Sequence, residues 1–164
     1  MNTAPPPVGA ALPHESAHLH VTGEAAYTDD LPEPAGTLHA APGLSSVAHG
    51  RIVSLDLAAV RSAPGVRAVI VAADIPGDNN CGAAVHDDPI LADGEVSFHG
   101  QPLFAVAADT RDQARHAARL AKVGIEALPA LLTVEDALAA GSHVLPPVEI
   151  SRGDVAAALA SAPH

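Results

Sequence analysis

The sequence has no tryptophan, one tyrosine and two phenylalanines. A core without large rings must be assembled from Val, Leu, Ile and Ala, with Phe98, Phe104 and Tyr27 as candidate anchors. Such a core buries less apolar area per residue and leaves a smaller margin of stability. There is one cysteine, Cys81. That excludes an internal disulfide, and also an iron–sulfur cluster held by this chain alone, which takes about four thiolates. A lone thiol fits a reducing cytosol. Basic residues are scarce: eight Lys and Arg stand against nineteen Asp and Glu, for a net charge of −11. Nucleic acid and anionic membrane surfaces are disfavoured partners, because both are bound by clustered Lys and Arg. No run approaches the roughly 20 apolar residues of a membrane helix. The start has no basic segment followed by a continuous apolar one, so it does not read as a secretory leader.

What is present is one domain's worth of aliphatic pattern, 164 residues that are 48% hydrophobic. Residues 1–35 read as an irregular arm, opened by Ala4-Pro5-Pro6-Pro7 and punctuated by Gly23, Pro32, Pro34 and Gly36. Residues 36–150 read as an α/β unit. Strands are expected at Thr37–Ser45, broken near Pro42-Gly43, and at Gly50–Leu57, with Val53, Leu55 and Leu57 on one face. Val66–Ala73 is expected to be a central strand buried on both faces. A short strand is expected at Glu95–Phe98, and further strands at Leu103–Ala108 and Lys122–Leu128. Ala58–Ala63 is a short helix stopped by Pro64-Gly65.

Thr110 and Gln113 announce the best helix as a capping pair. Ala114, Ala117, Ala118 and Ala121 give it a narrow stripe of small residues that lets it approach a sheet closely. Strand, helix and strand then make a βαβ unit in a mixed sheet. Thr133 caps another short helix that Gly141 ends, and residues 151–164 carry a last one.

Candidate chemistry is sparse. His14-Glu15-Ser16-Ala17-His18 matches His-Glu-x-x-His, which on a helix binds zinc, and His20 lies nearby. Pro13 and Gly23 bracket the motif, and no third ligand stands out downstream. Ordinary histidines on an arm are the competing reading. Asp29-Asp30 and Asp87-Asp88 are adjacent in sequence and read as turn and loop residues. Cys81 has His86 close by but matches no cysteine-protease signature. Neither Gly-x-Gly-x-x-Gly nor Gly-x-x-x-x-Gly-Lys-Ser/Thr occurs, and the turn after Asp109 lacks glycine, which argues against dinucleotide binding. No residue is therefore assigned as catalytic, cofactor-binding or metal-ligating.

Several segments together resemble one family. They are Leu12-Pro13-His14-Glu15-Ser16-Ala17, Leu19-His20-Val21-Thr22-Gly23-Glu24-Ala25 and Tyr27-Thr28-Asp29-Asp30-Leu31-Pro32. They continue with His49-Gly50-Arg51-Ile52, Ala73-Asp74-Ile75-Pro76-Gly77, Leu91-Ala92-Asp93-Gly94-Glu95-Val96, Gly100-Gln101-Pro102 and Leu128-Pro129-Ala130-Leu131-Leu132-Thr133. In this order and spacing they are similar to the α/β hammerhead domain that opens the molybdenum-binding subunit of xanthine dehydrogenases.

The resemblance implies a full cytoplasmic enzyme that hydroxylates hypoxanthine and xanthine to urate in purine catabolism. It implies molybdopterin-bound molybdenum, two [2Fe–2S] clusters, FAD and NAD. A small subunit would carry the clusters and flavin, with the rest of the molybdenum subunit as the other partner. The family's cofactor- and substrate-binding residues would follow His164, so the chain is expected to be an inactive piece that ends at a domain boundary. Three alternatives stay open: a domain of an aldehyde oxidase or related hydroxylase, a stand-alone binding module using Asp78–Pro89 as a ligand loop, and a zinc site on the histidine arm.

Overall fold

A computed structural model describes residues 8–163. The Ala4–Pro7 run and His164 lie outside them. The strands are β1 (His39–Leu44), β2 (Gly50–Asp56), β3 (Val66–Val71), β4 (Glu95–Val96), β5 (Pro102–Ala108) and β6 (Lys122–Ala127). The helices are α1 (Ala17–Thr22), α2 (Ala58–Arg61), α3 (Arg111–Ala118), α4 (Val134–Ala139) and α5 (Val155–Ser161). No described helix is long and apolar enough to cross a membrane.

The α/β character holds, but the strands form two three-stranded antiparallel sheets, ordered β1-β5-β3 and β4-β2-β6. The expected mixed sheet with a βαβ unit is not formed. β1 and β3 occupy both edges of β5, so no free edge remains there for β6, which pairs with β2 instead. For the same reason β5 is the central strand. β3 is an edge strand and not the doubly buried one expected, with Ile70 41% exposed.

β2 departs from simple alternation. The register passes from Ile52↔Ile125 to Ser54↔Gly124, leaving Val53 as a bulge. One extra residue switches the inward face. Ile52 and Leu55 therefore pack toward the core, and Val53, expected beside Leu55, is 61% exposed. Gly124 belongs to the same feature, because a Cβ there would meet Ser54 Oγ at 2.5 Å.

Val60, Val69, Val96, Leu103, Phe104, Val106 and Ala117 form the main core. Of the three aromatic anchors expected, only Phe104 is buried; Phe98 and Tyr27 are exposed. The Phe104 ring lies across Gly43, where a Cβ would sit 2.0 Å from the ring. The break anticipated at Pro42-Gly43 is thus a register shift between Gly43 and Leu44, inside a strand that stays continuous.

α3 starts at the expected cap but ends at Ala118, so Ala121 of the expected stripe lies beyond the helix. Thr110 Oγ1 accepts from the Gln113 N–H at 3.2 Å and donates to Gln113 Oε1. Ala114 and Ala117 are completely buried, and Ala118 and Ala121 flank them in the core. Thr133 and Asp154 cap α4 and α5 in the same manner, accepting from Asp136 and Ala157 N–H groups.

Candidate functional site

The histidine arm does not assemble a metal centre from the described residues. α1 begins only at Ala17, so His14 lies outside the helix and the i, i+4 pairing with His18 is not realised. The His14 ring packs edge-on against His20 instead, with centroids 5.4 Å apart, and His20 packs against Tyr27. The Tyr27 hydroxyl and His20 Nδ1 share a hydrogen bond of 3.1 Å. No group of three His, Cys, Asp or Glu comes together among the described residues.

The loop from Asp74 to Pro89 spends its polar groups on itself and on the adjoining Leu91. Asn79 binds both backbone groups of Leu91, donating to its carbonyl at 2.8 Å and accepting its N–H at 3.0 Å. Asn80 Oδ1 accepts from Gly82. The Cys81 N–H and thiol both donate to the Asp88 carbonyl. Partial desolvation, reinforced by Asp88, raises the Cys81 pKa, which keeps the thiol protonated and a poor nucleophile. His86 faces Asp78 at 3.4 Å, not Cys81. Asp30 caps a short 3-10 turn by accepting the Tyr27 N–H at 2.9 Å. The acidic pairs are therefore turn and loop groups in the structure as well.

Gly100-Gln101, which enters above only through the family resemblance, has a structural use. Gln101 is a buried polar residue in the turn between the two sheets. Its side-chain Oε1 accepts the Ser97 N–H at 2.7 Å, and its carbonyl accepts the Ser45 N–H at 2.9 Å. It ties the ends of β1 and β4 to the start of β5. A Gln between Gly and Pro before a buried strand was the available signal.

His49 joins the body to its C-terminal extension. Its Nδ1 is 2.7 Å from the Pro129 carbonyl, and its Nε2 is 3.3 Å from Glu95 Oε1. The Leu128 N–H donates to the His49 carbonyl. The bond to Pro129, with Glu95 adding to it, raises the His49 pKa above its ordinary value.

Beyond Pro129 the surface becomes apolar. Leu132, Val134, Leu138, Val144, Val148, Ile150 and Leu159 are all exposed, with Val144 at 96% and Ile150 at 93%. α4 and α5 bury no residue. Helices of six or seven residues do not persist in water without packing, since isolated ones need about 12–15 residues even to be marginal. Exposed aliphatic surface on this scale marks a docking region. The candidate functional surface is this exposed aliphatic region.

Residues 22–129 match the family model described as "Aldehyde oxidase and xanthine dehydrogenase, a/b hammerhead domain". The chain is 46% identical over 135 residues to a xanthine dehydrogenase of Oryza sativa subsp. japonica, covering 82% of this chain and 10% of that protein. It is 42% identical over 151 residues to aldehyde oxidase 4 of Cavia porcellus, covering 91% and 11%. Among solved structures, quinoline 2-oxidoreductase from Pseudomonas putida 86 superposes with a TM-score of 0.71 at 31% identity, covering 92% of this chain and 21% of that one. The chain spans about a tenth of the length of these curated relatives. With that sequence match across the two sheets and α3, this chain belongs to the α/β hammerhead domain family of aldehyde oxidases and xanthine dehydrogenases.

Proposed function

We propose that this chain is a structural domain of a xanthine dehydrogenase, belonging to the subunit that binds molybdopterin and molybdenum. The observation that carries the proposal is the unburied aliphatic surface at 131–159 on a chain that spans a tenth of its relatives. Residues 8–35 serve as an arm laid on a neighbour, and 36–150 form the hammerhead body with its extension. The helix within 151–163 leads toward the molybdopterin-binding domain. The full enzyme hydroxylates hypoxanthine and xanthine to urate in the cytoplasm, with NAD as acceptor. Its partners are the remaining molybdenum polypeptide and an iron–sulfur and flavin subunit.

Among the described residues nothing fits an iron–sulfur cluster, a three-ligand metal site or a dinucleotide phosphate. One thiol cannot hold a [2Fe–2S] cluster, no three ligating side chains converge, and no glycine cradle opens α3 for a dinucleotide phosphate. The chain's own contribution is therefore to position other polypeptide, and no step of the reaction is assigned to it.

The test is replacement. Substituting this chain for the matching region of the rice xanthine dehydrogenase should retain molybdenum and urate formation, whereas deleting the region should lose both. Molybdenum bound stoichiometrically by the isolated chain, or hypoxanthine oxidation by it, would overturn the proposal. A second reading, a domain of an aldehyde oxidase, is supported by the 42% identity to the Cavia porcellus protein. Retention of activity in an aldehyde oxidase but not in a xanthine dehydrogenase would favour it.

A further inference from the structure

Four of the eight Lys and Arg in this acidic chain fall within twelve residues: Arg111, Arg115, Arg119 and Lys122. The three arginines recur every fourth residue, so they run along one side of α3. All four side chains are exposed, and none lies within ion-pair distance of a carboxylate among the described residues. By contrast Arg51 and Arg67 each hold a carboxylate, Glu126 at 2.9 Å and Asp109 at 2.7 Å. The row has mixed consequences for the helix, since Arg115 in the last turn and Arg119 at the C-cap suit the negative end of the helix dipole. Like charges four apart repel, and Arg111 places a cation at the positive end of the helix dipole.

Beside this row lies an open groove of about 750 Å³, bounded by β1, α3 and β6. Arg115 and Arg119 stand on it, and its walls are otherwise mostly aliphatic, including Ala40, Leu44, Ala121 and Val123. We infer that this groove is a docking site for an acidic, aliphatic polypeptide segment, whose carboxylates pair with Arg115 and Arg119 while its aliphatic side chains fill the trough. Charge complementarity selects this occupant. The rest of the chain is strongly acidic, so the arginine row is a local reversal of sign that steers an acidic partner to this place alone. A nucleotide or nucleic acid is a poor match, because no aromatic lines the groove except Phe104, which is buried. The inference does not depend on which enzyme the chain serves.

The probe is a fluorescent twelve-residue peptide alternating Glu and Leu, with a Gln/Leu peptide as the neutral control, titrated onto the 164-residue chain. The Glu/Leu peptide should bind at least tenfold more tightly, although the chain as a whole repels it. Arg115→Glu with Arg119→Glu, both at exposed positions, should lower that affinity at least tenfold. Ala40→Phe, which fills the trough without changing charge, should weaken binding of both peptides. Equal affinity for the two peptides, or indifference to the double reversal, overturns the inference. So does dimerisation of the chain that the double reversal abolishes, which would assign the groove to a second copy. Displacement of the Glu/Leu peptide by millimolar inorganic phosphate with no effect of Ala40→Phe overturns it as well, in favour of a simple anion site.

Discussion

The body between His39 and Ala127 and the two flanks beside it are built from similar residues with opposite results. Every buried apolar residue lies between Ala41 and Ala117, and neither described flank buries one. Both regions contain Val, Leu and Ala in quantity. In the body, strands present those residues to a second layer, and α3 closes over β1 and β5. In the flanks, α1, α4 and α5 bury no residue. Apolar composition therefore does not make a core; a second layer does.

The sharpest way to break this contrast is to remove its central ring. Phe104→Ala should destabilise the chain by about 3–5 kcal/mol in urea denaturation, a loss this aromatic-poor core cannot replace. Val144→Ala, in the C-terminal flank, should change stability by no more than about 0.5 kcal/mol. Equal losses would mean that the flank is part of the cooperative unit.

Gln101→Ala comes next. It leaves the Ser97 N–H without its partner and should lower stability by about 1–3 kcal/mol by the same assay. Thr110→Ala removes the cap of α3 and should lower stability by about 1 kcal/mol. The same change at Thr133, which caps the unpacked α4, should leave the global transition in place and raise amide exchange only within Val134–Ala139.

The smallest effects are those of pH at one contact across the boundary and one within the body. The His49 pKa is raised above 6.5, chiefly by its bond to the Pro129 carbonyl. Its contribution is therefore fully present below pH 6.5 and is lost as the pH rises through the higher folded value. The Arg67 guanidinium lowers the Asp109 pKa below 3.8. That contribution is present above pH 3.8 and is lost as the pH falls through the lower folded value. An NMR titration should place the His49 midpoint above 6.5 and show Leu128 and Ala130 amide shifts following it. A midpoint at or below 6.5 would detach the extension from the body.

Much of the element plan was legible in the residues. The helix caps at Thr110 and Thr133, the first three alanines of the α3 stripe and the strand-forming runs all express local preferences, and the structure keeps them. The class and family were readable too, because motifs in a fixed order survive even when each is short. Of the candidate site, the turn roles of the acidic pairs could be read from their sequence context. The Asn79 clamp and the His49 bridge could not, since each joins groups that local sequence does not relate: Asn79 reaches Leu91, and His49 reaches Pro129.

By itself, then, the sequence determined which segments of the body become strands and helices, because those choices depend on neighbours within a turn or two, whereas α1 forms inside an arm read as irregular. Only the tertiary structure decided that β5 is central, that β6 joins β2, and that Val53 turns outward. Each of these follows from competition for a strand edge or from one bulged residue, and such competition is settled only when distant segments meet.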